Sequence, residues 1–513
     1  MKKSIKLLSL LIVAVMLFSL AACNGGSPSD GGTSTSPPAS GSETPAEIPE
    51  IVFFNIAFGG TPKDNDEVIK QAILEGCGVS VTIAGSPWDV YKDKLSLMLS
   101  GAEQLDAYYD FNLWPEYSSR GAIIPINGLL DQYGSNIKAN IQKDSWNMCT
   151  DTSGQIWGVP IEGVCPINFT IAIRQDWLTK LGMAAPTTMA ELEAYFDKVL
   201  ATDLNGNGQN DEIPIVSVRL GGLLRTLAPA FTGAYENFVD TDGKLKPIIF
   251  HPKYRAFIET LADWYSKGYI YRDIEQVVGY DQLAELASQD RVGTMISWWT
   301  HFSYGIDNLF AVNPDAEFIT LDPVEGPAGR YYQQAYLTGH TMSVTKSSKN
   351  PEAVIKFIDW CAASAENQQI SYLGPLGVGF NWNANRNGVI PIESFQENNS
   401  MAYAFVSVSQ NFTPSDGNYS SEAQGIIGKQ MNDLVAIGGM TVKDAILGLS
   451  FDQDALNAVC NQTDLTTFIE EQLVLFITGQ QPISNWDKFT SEYLSIGGQA
   501  YIDERTSQYD AMK

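Results

Sequence analysis

Ile51-Val52-Phe53-Phe54-Asn55-Ile56 is an apolar run that reads as a buried β-strand. Gly59-Gly60-Thr61-Pro62 turns the chain, Asp66 to Leu74 reads as a helix, and Val79 to Ile83 as a second strand. Pro87-Trp88 opens a helix whose apolar residues Trp88, Tyr91, Leu95, Met98 and Leu99 recur at spacings of three and four; Gly101 ends it. Leu105 to Phe111 is a third strand. Strands alternating with helices predict an α/β fold with a mostly parallel sheet and helices on both faces. Ligands in such sheets collect at the carboxyl ends of the strands, which directs attention to Phe111, Asn112 and Trp114.

Upstream of this body the chain begins with a basic stretch, Met1-Lys2-Lys3-Ser4-Ile5-Lys6, then an uncharged apolar run from Leu7 to Leu20. That run is shorter than the roughly 20 residues a spanning helix needs and has the length of a signal-peptide core. Residues 1–22 are expected to be a signal peptide. Leu20-Ala21-Ala22-Cys23 resembles the bacterial lipobox, in which the cysteine is lipidated and becomes the mature N-terminus. The alternative is a plain secretory signal with an incidental cysteine. Residues 23–47 are Gly, Ser, Pro and Thr with almost nothing apolar, and form a flexible tether.

Downstream, Gly154-Gln155-Ile156-Trp157-Gly158-Val159-Pro160 reads as a turn, a strand and a stop, and Ile167 to Ile173 as a further strand with a helix from Asp176. Thr188-Met189-Ala190-Glu191 is a capping box, and the helix behind it carries Leu192, Tyr195, Phe196, Val199 and Leu200 on one face. His251-Pro252 starts another helix. Val292 to Ser297 is a strand that delivers the pair Trp298-Trp299 and then His301. Adjacent tryptophans at a strand end cannot both face one core, so at least one is expected to face a cleft or solvent; the alternative is two core tryptophans at a bend. Asn350-Pro351 is expected to cap a helix through Val354, Ile355, Phe357 and Ile358.

The segment Asp203-Leu204-Asn205-Gly206-Asn207-Gly208-Gln209-Asn210-Asp211-Glu212 carries oxygen ligands at alternate positions and a glycine sixth. A hard cation such as Ca2+ takes six to eight oxygens at about 2.3–2.6 Å, and short Asp and Asn side chains at this spacing point inward. The twelfth position, Glu in an EF-hand, is Pro214 here, so Glu212 is expected to close the shell. The following Ile213-Pro214-Ile215-Val216 reads as a strand, not as the exiting helix of an EF-hand. A structural Ca2+ site is expected, against the alternative of an Asn/Gly-rich turn without an ion.

The 513 residues hold 59 acidic and 32 basic side chains, a formal net charge of −27. Such a surface repels nucleic acid and anionic headgroups, so no nucleic-acid partner is expected. With 44% apolar residues the chain can bury a large core, and its length suggests two domains. Cys77, Cys149, Cys165, Cys361 and Cys460 form no CxxC pair, which leaves a zinc or redox site little support; they are expected to be buried thiols. Histidine occurs at three positions, His251, His301 and His340, which argues against a histidine-rich metal site.

Several segments together resemble the extracellular solute-binding proteins of bacterial ABC importers, in the carbohydrate-type family that includes maltose- and alginate-oligosaccharide-binding proteins. They are Trp88-(x)2-Tyr91-Lys92-(x)-Lys94-Leu95-(x)2-Met98-Leu99-Ser100-Gly101 followed by Asp106, then Gly121-Ala122-(x)2-Pro125-Ile126 and Leu129-Leu130-Asp131-(x)-Tyr133-Gly134. Gly158-Val159-Pro160, Arg174-(x)-Asp176-Trp177-Leu178, Gly293-Thr294-Met295, Phe476-Ile477-Thr478-Gly479 and Trp486-Asp487 complete the pattern. The resemblance implies a type II periplasmic-binding-protein-like fold: two α/β lobes, each discontinuous in sequence, closing about a hinge on an oligosaccharide. It places residues 48–162 and 323–372 in the N-terminal lobe and 163–322 and 373–513 in the C-terminal lobe.

The resemblance further implies a lipid-anchored, monomeric binding protein at the extracellular face of the membrane, with the permease subunits of the transporter as partners and no enzymatic activity. Its calcium loop lends Asp203, Asn205, Asn207, Gln209, Asp211 and Glu212 as metal ligands, and its sugar cleft suggests Trp114, Glu162, Trp298, Trp299 and His301 as ligand-binding residues, with Trp382 further off. No run of basic residues marks an acidic-sugar site, although Arg219 and Arg225 follow the loop, so a neutral oligosaccharide is expected over a uronate. The competing readings are a surface-anchored glycoside hydrolase, which needs two carboxylates about 5–9.5 Å apart across a cleft, and a sensory or adhesive sugar-binding lipoprotein.

Overall fold

The computed structural model describes residues 48–56, 63–87, 90–102, 104–111, 113–162, 167, 169–298, 306–334, 338–386, 388–400 and 440–512. The leader, Cys23 and the tether lie outside the described residues, as do Trp88, Cys165, Trp299 and His301, and Trp298 is described by its backbone.

The strands fall into two principal sheets. β1 (Glu50–Ile56), β2 (Ser80–Ser86), β3 (Ala107–Asp110) and β4 (Val159–Glu162) belong to the first; β5 (Phe169–Arg174) and β6 (Val216–Ser217) belong to the second. A hairpin of β7 (Asn237–Val239) and β8 (Leu245–Pro247) follows, and then β9 (Thr294–Trp298) and β10 (Phe318–Leu321) complete the second sheet. After the hairpin β11 (Glu325–Gly326) and β12 (Gly329–Arg330) comes the short β13 (Tyr332–Gln333), and then β14 (Thr338–Val344) returns to the first sheet. β15 (Phe380–Trp382) and β16 (Val389–Pro391) form a hairpin, and β17 (Thr441–Val442) pairs in parallel with β13.

The first sheet has the order β2-β1-β3-β14-β4 and the second β10-β5-β9-β6. β1 pairs in parallel with both β2 and β3, as the strand–helix alternation requires. The sheets are nevertheless mixed: β14 runs antiparallel to β3 and β4, and β5 antiparallel to β9 and β10. The physical reason is the connectivity. β14 follows a crossing from the second sheet and enters the first from the opposite direction, a relation no local pattern encodes.

Each sheet has its own core. Around the first, Phe53, Tyr108, Ile137, Val354 and Phe357 are buried; around the second, Ile171, Trp177, Phe196, Leu223, Trp264 and Phe476 are. Thr188 accepts from the Glu191 backbone amide and Glu191 reaches back to the Thr188 amide, the capping box of the helix Met189–Ala201. Asn350 makes no side-chain cap on Pro351–Cys361; its amide donates to the Glu50 carbonyl and ties that helix to β1. Residues 393–400 also pack beside the start of the helix Asp66–Cys77: Asn65 Nδ2 donates to the Phe395 carbonyl (2.7 Å) and Ser400 Oγ to Asp66 Oδ2 (2.6 Å). Cys77, Cys149, Cys361 and Cys460 are thiols. Among the described residues no helix is long and apolar enough to cross a membrane.

Candidate functional site

The chain leaves the first sheet at Glu162 and enters the second at Phe169. At about 3.3–3.6 Å per residue, that link holds the two rims within roughly 25 Å of each other. The rim of the first sheet is built from the carboxyl ends of β3 and β4 and the start of β14, with Thr338 opposite Glu162 and Thr341 opposite Asp110. The rim of the second is built from the carboxyl end of β9 and the start of β5, where Trp298 lies opposite Phe169.

Aromatic side chains crowd the first rim. His340 stacks on Tyr109 and meets Phe111 edge-on, with ring centroids 4.5 Å apart. Burial pushes the His340 imidazole down to about 4, against a smaller opposing effect from the Asp110 backbone, so it is neutral at neutral pH. On the second rim the Arg225 guanidinium sits over the Phe169 ring, 5.1 Å from its centroid. Trp298 carries the backbone to this edge, and Trp299 and His301 lie outside the described residues. His340, Tyr109 and Phe169 are not singled out by the sequence; Phe111 is, and Arg225 is named there as a basic residue that follows the loop.

Trp114 opens the helix Trp114–Ser119 directly after the β3 rim. Its indole Nε1 donates to the Met148 carbonyl (2.7 Å), and it lines a cavity beside the first sheet. Glu162 is buried, and Oε1 accepts from the Gln142 amide (2.7 Å) and from Ser145 Oγ (2.8 Å). Trp382 lies on β15, where it meets Phe380 edge-on within the small core of that hairpin.

The Asp203–Glu212 loop closes through its own side chains. Asp203 Oδ1 accepts from the Gly206 and Asn207 amides and Oδ2 from Gly208; Asn205 Oδ1 accepts from the Asn207 amide and Asn207 Oδ1 from Gln209. Gly206 and Gly208 have φ of 75° and 83°, the left-handed turns that fold the loop inward. Arg291 holds Asp211 from outside, with Nε 2.9 Å from Oδ2. Glu212 Oε1 accepts from the Leu204 amide (2.6 Å), while Oε2 is buried with no hydrogen-bond partner. Among the described residues no three acids, cysteines or histidines converge as a preformed metal cluster. The oxygen-rich loop with one orphaned buried carboxylate oxygen fits a hard cation, which would be held by carboxylate, amide and carbonyl oxygens together.

Residues 61–369 match the sequence profile of the family described as bacterial extracellular solute-binding protein. The chain belongs to that family. This solute-binding protein is 26% identical over 326 residues to the fructooligosaccharide ABC transporter substrate-binding protein FusA of Streptococcus pneumoniae serotype 4, a match covering 58% of each chain. It thus spans a little over half the length of that curated relative.

Solved structures establish its two-lobe α/β fold. A solute-binding protein of Bifidobacterium longum infantis, described as HMO-binding and associated with an ABC transporter, superposes with a TM-score of 0.67 at 17% identity, covering 90% of this chain and 99% of the other. The S. pneumoniae FusA EF-hand mutant in complex with fructo-nystose gives 0.67 at 18% identity, with 90% and 99% covered. An alginate-binding protein solved without calcium ion gives 0.66 at 17%, with 91% and 98% covered. The words EF-hand and calcium therefore attach to relatives that share this fold.

Proposed function

We propose that the protein is the substrate-capturing component of an ABC importer, taking up an oligosaccharide between its two lobes and delivering it to the membrane permease. The observation that carries this reading is the pair of linked strand-end rims with aromatic side chains on both, Tyr109, Phe111 and His340 on one and Phe169 on the other. One face of a pyranose is rich in C–H groups and stacks on such rings, while its hydroxyls need the acceptors that flank them. The FusA match and the sugar-transport descriptions of the structural neighbours support the same class, and no relative named above is described as an enzyme.

The N-terminal lobe is residues 48–162 and 323–372 and the C-terminal lobe 163–322 and 373–513, with one amendment. The hydrogen bond that Asn65 donates to Phe395 and the two that the Asp66 carboxylate accepts from Ser400 favour a last crossing after Ser400, not near Leu373. Trp114, Glu162, Trp298, Trp299 and His301 contribute to the cleft. Cys23 carries the lipid that holds a monomeric protein at the extracellular face of the membrane. Asp203, Asn205, Asn207, Gln209, Asp211 and Glu212 hold a structural Ca2+, which neutralises carboxylates and stiffens the loop when bound.

The test is thermal unfolding of residues 48–513 in calcium buffer against a panel of neutral and uronate oligosaccharides. Ligand at a hundred times its Kd adds about 2.7 kcal/mol, a rise in Tm of a degree or more. The net charge of −27 motivates a neutral ligand. Tighter uronate binding would refute that choice, and no shift with any sugar would refute the carbohydrate reading.

A further inference from the structure

Arg291 stands where the Asp203–Glu212 loop meets the second sheet. Its carbonyl accepts from the Ile213 amide (2.7 Å), and the Gly293 amide donates to the Ile213 carbonyl (2.9 Å). The exit of the loop is thereby stitched to the residues that lead into β9. The preceding Asp290 makes a firm base. Its backbone has a left-handed φ of 56°, and its carboxylate is held by Arg174 (2.6 Å) and by Asn313 Nδ2 (3.0 Å). From that base the Arg291 side chain reaches back to the loop. Nε lies 2.9 Å from Asp211 Oδ2, Nε and Nη2 donate to the Asp211 carbonyl at 3.0 Å and 2.9 Å, and Nη1 donates to Gln289 Oε1 (3.4 Å).

We propose that Arg291 is a built-in counter-cation of this loop: it competes with Ca2+ for the charge of Asp211, lowers the calcium affinity, and holds the loop together when calcium is scarce. The assignment rests on the calcium reading given above. The loop carries three carboxylates, Asp203, Asp211 and Glu212, and they are held in two ways. Asp203 and Glu212 Oε1 accept from backbone amides of the loop itself, whereas Asp211 takes a guanidinium. A permanent positive charge on a ligand carboxylate draws negative charge away from the other oxygen and repels a divalent ion that uses the same group. Arg291 does not replace the ion altogether. Glu212 Oε2 is buried without a hydrogen-bond partner and receives nothing from Arg291, so one acceptor remains for a cation to satisfy.

The contact is more than an incidental ion pair. The guanidinium grips both the side chain and the carbonyl of Asp211, a forked contact that a lysine does not match. The side chains of the pair are 31% and 29% exposed, so salt reaches them and the effect is open to screening. A lowered affinity suits a member of an extracellular family, because extracellular calcium modules hold the ion at about 10⁻⁴–10⁻³ M.

The experiment is calorimetric titration of CaCl2 into residues 48–513, which carry both sheets and both cores, after chelation and dialysis, with unfolding temperatures measured in chelator and in calcium. Arg291→Met should bind calcium about tenfold more tightly than the wild type at low salt. That ratio should shrink towards one as KCl is raised to about 0.5 M. Arg291→Lys keeps the charge and should stay near the wild-type affinity. In chelator Arg291→Met should unfold at a lower temperature than the wild type, and saturating calcium should close the gap. A merely structural role would instead weaken calcium binding in Arg291→Met at every salt concentration. Arg291→Gln keeps a donor for the Asp211 carbonyl and serves where the methionine variant does not fold; the same tightening is expected of it. Unchanged or weaker binding in the neutral variants overturns the counter-cation and leaves the calcium reading standing. Absence of calcium binding in the wild type and in every variant overturns both.

Discussion

The imidazole of His340 lies almost parallel to the ring of Tyr109, with centroids 5.2 Å apart and planes inclined by 27°. His340 is the third residue of β14, which returns from the second sheet, and Tyr109 is the penultimate residue of β3, so the contact welds that return to the rim of the first sheet. It also fixes a charge state, because burial holds His340 near 4, well under the ordinary histidine value of about 6.5.

A pH dependence follows. The unfolded chain takes up the proton first, so the stabilisation is complete above about pH 6.5 and is lost as pH falls towards about 4. At 1.36 kcal/mol per pH unit the loss is about 3 kcal/mol. Urea unfolding at neutral pH and at pH 4 should show a larger drop in wild type than in His340→Gln. Equal drops would show that other groups carry the acid sensitivity.

Arg174 is fully buried between Asp176 and Asp290, at 2.7 Å and 2.6 Å, and lies over the Trp177 ring. Arg174→Met leaves two carboxylates in a site built for a cation. The expected cost is about 3–5 kcal/mol in denaturant unfolding, with partial recovery when Asp290→Asn is added. A cost below about 1 kcal/mol would mean that the carboxylates find water once the arginine is gone.

Chelation should lower the Tm of the wild type by a degree or more, since the ion binds the folded loop and not the unfolded chain. In Glu212→Gln the orphaned Oε2 is replaced by an amide nitrogen, and the response to chelation should shrink or vanish. A wild-type Tm indifferent to calcium after chelation and dialysis would remove the loop as a metal site.

Trp299→Ala should weaken oligosaccharide binding by about 1–3 kcal/mol, the usual cost of losing a buried aromatic anchor. Titration of Trp298→Ala beside it decides the pair. A loss confined to Trp298→Ala would assign the stacking face to the residue that lies opposite Phe169 on the sheet edge.

Local chemistry was legible wherever a short stretch carries its own explanation. The apolar run at Ile51 is β1, the Thr188–Glu191 box starts its helix, and the Asp/Asn/Gly alternation from Asp203 forms a loop folded on its own amides. Trp114 was placed at the rim because the segment after a strand's carboxyl end lies there. The rim's other aromatics were not found, because Tyr109 and His340 are 231 positions apart and His340 gives no local signal of a partner. Strands of two residues such as β6, β13 and β17 are too short to show any periodicity. Asn350 read as a cap, but its amide found a better acceptor on β1.

By itself the sequence determined the α/β class, the positions of most long elements, the acidic character and the oxygen-rich loop, because each depends on residues within a turn or two of one another. The antiparallel return of β14, the stacking of His340 on Tyr109, the orphaned oxygen of Glu212 and the cavity lined by Trp157 and Asn457 were decided by the tertiary structure. Each of these depends on which burial and hydrogen-bonding partners the folded chain brings together, and those partners are set by the competition of the whole chain for two cores.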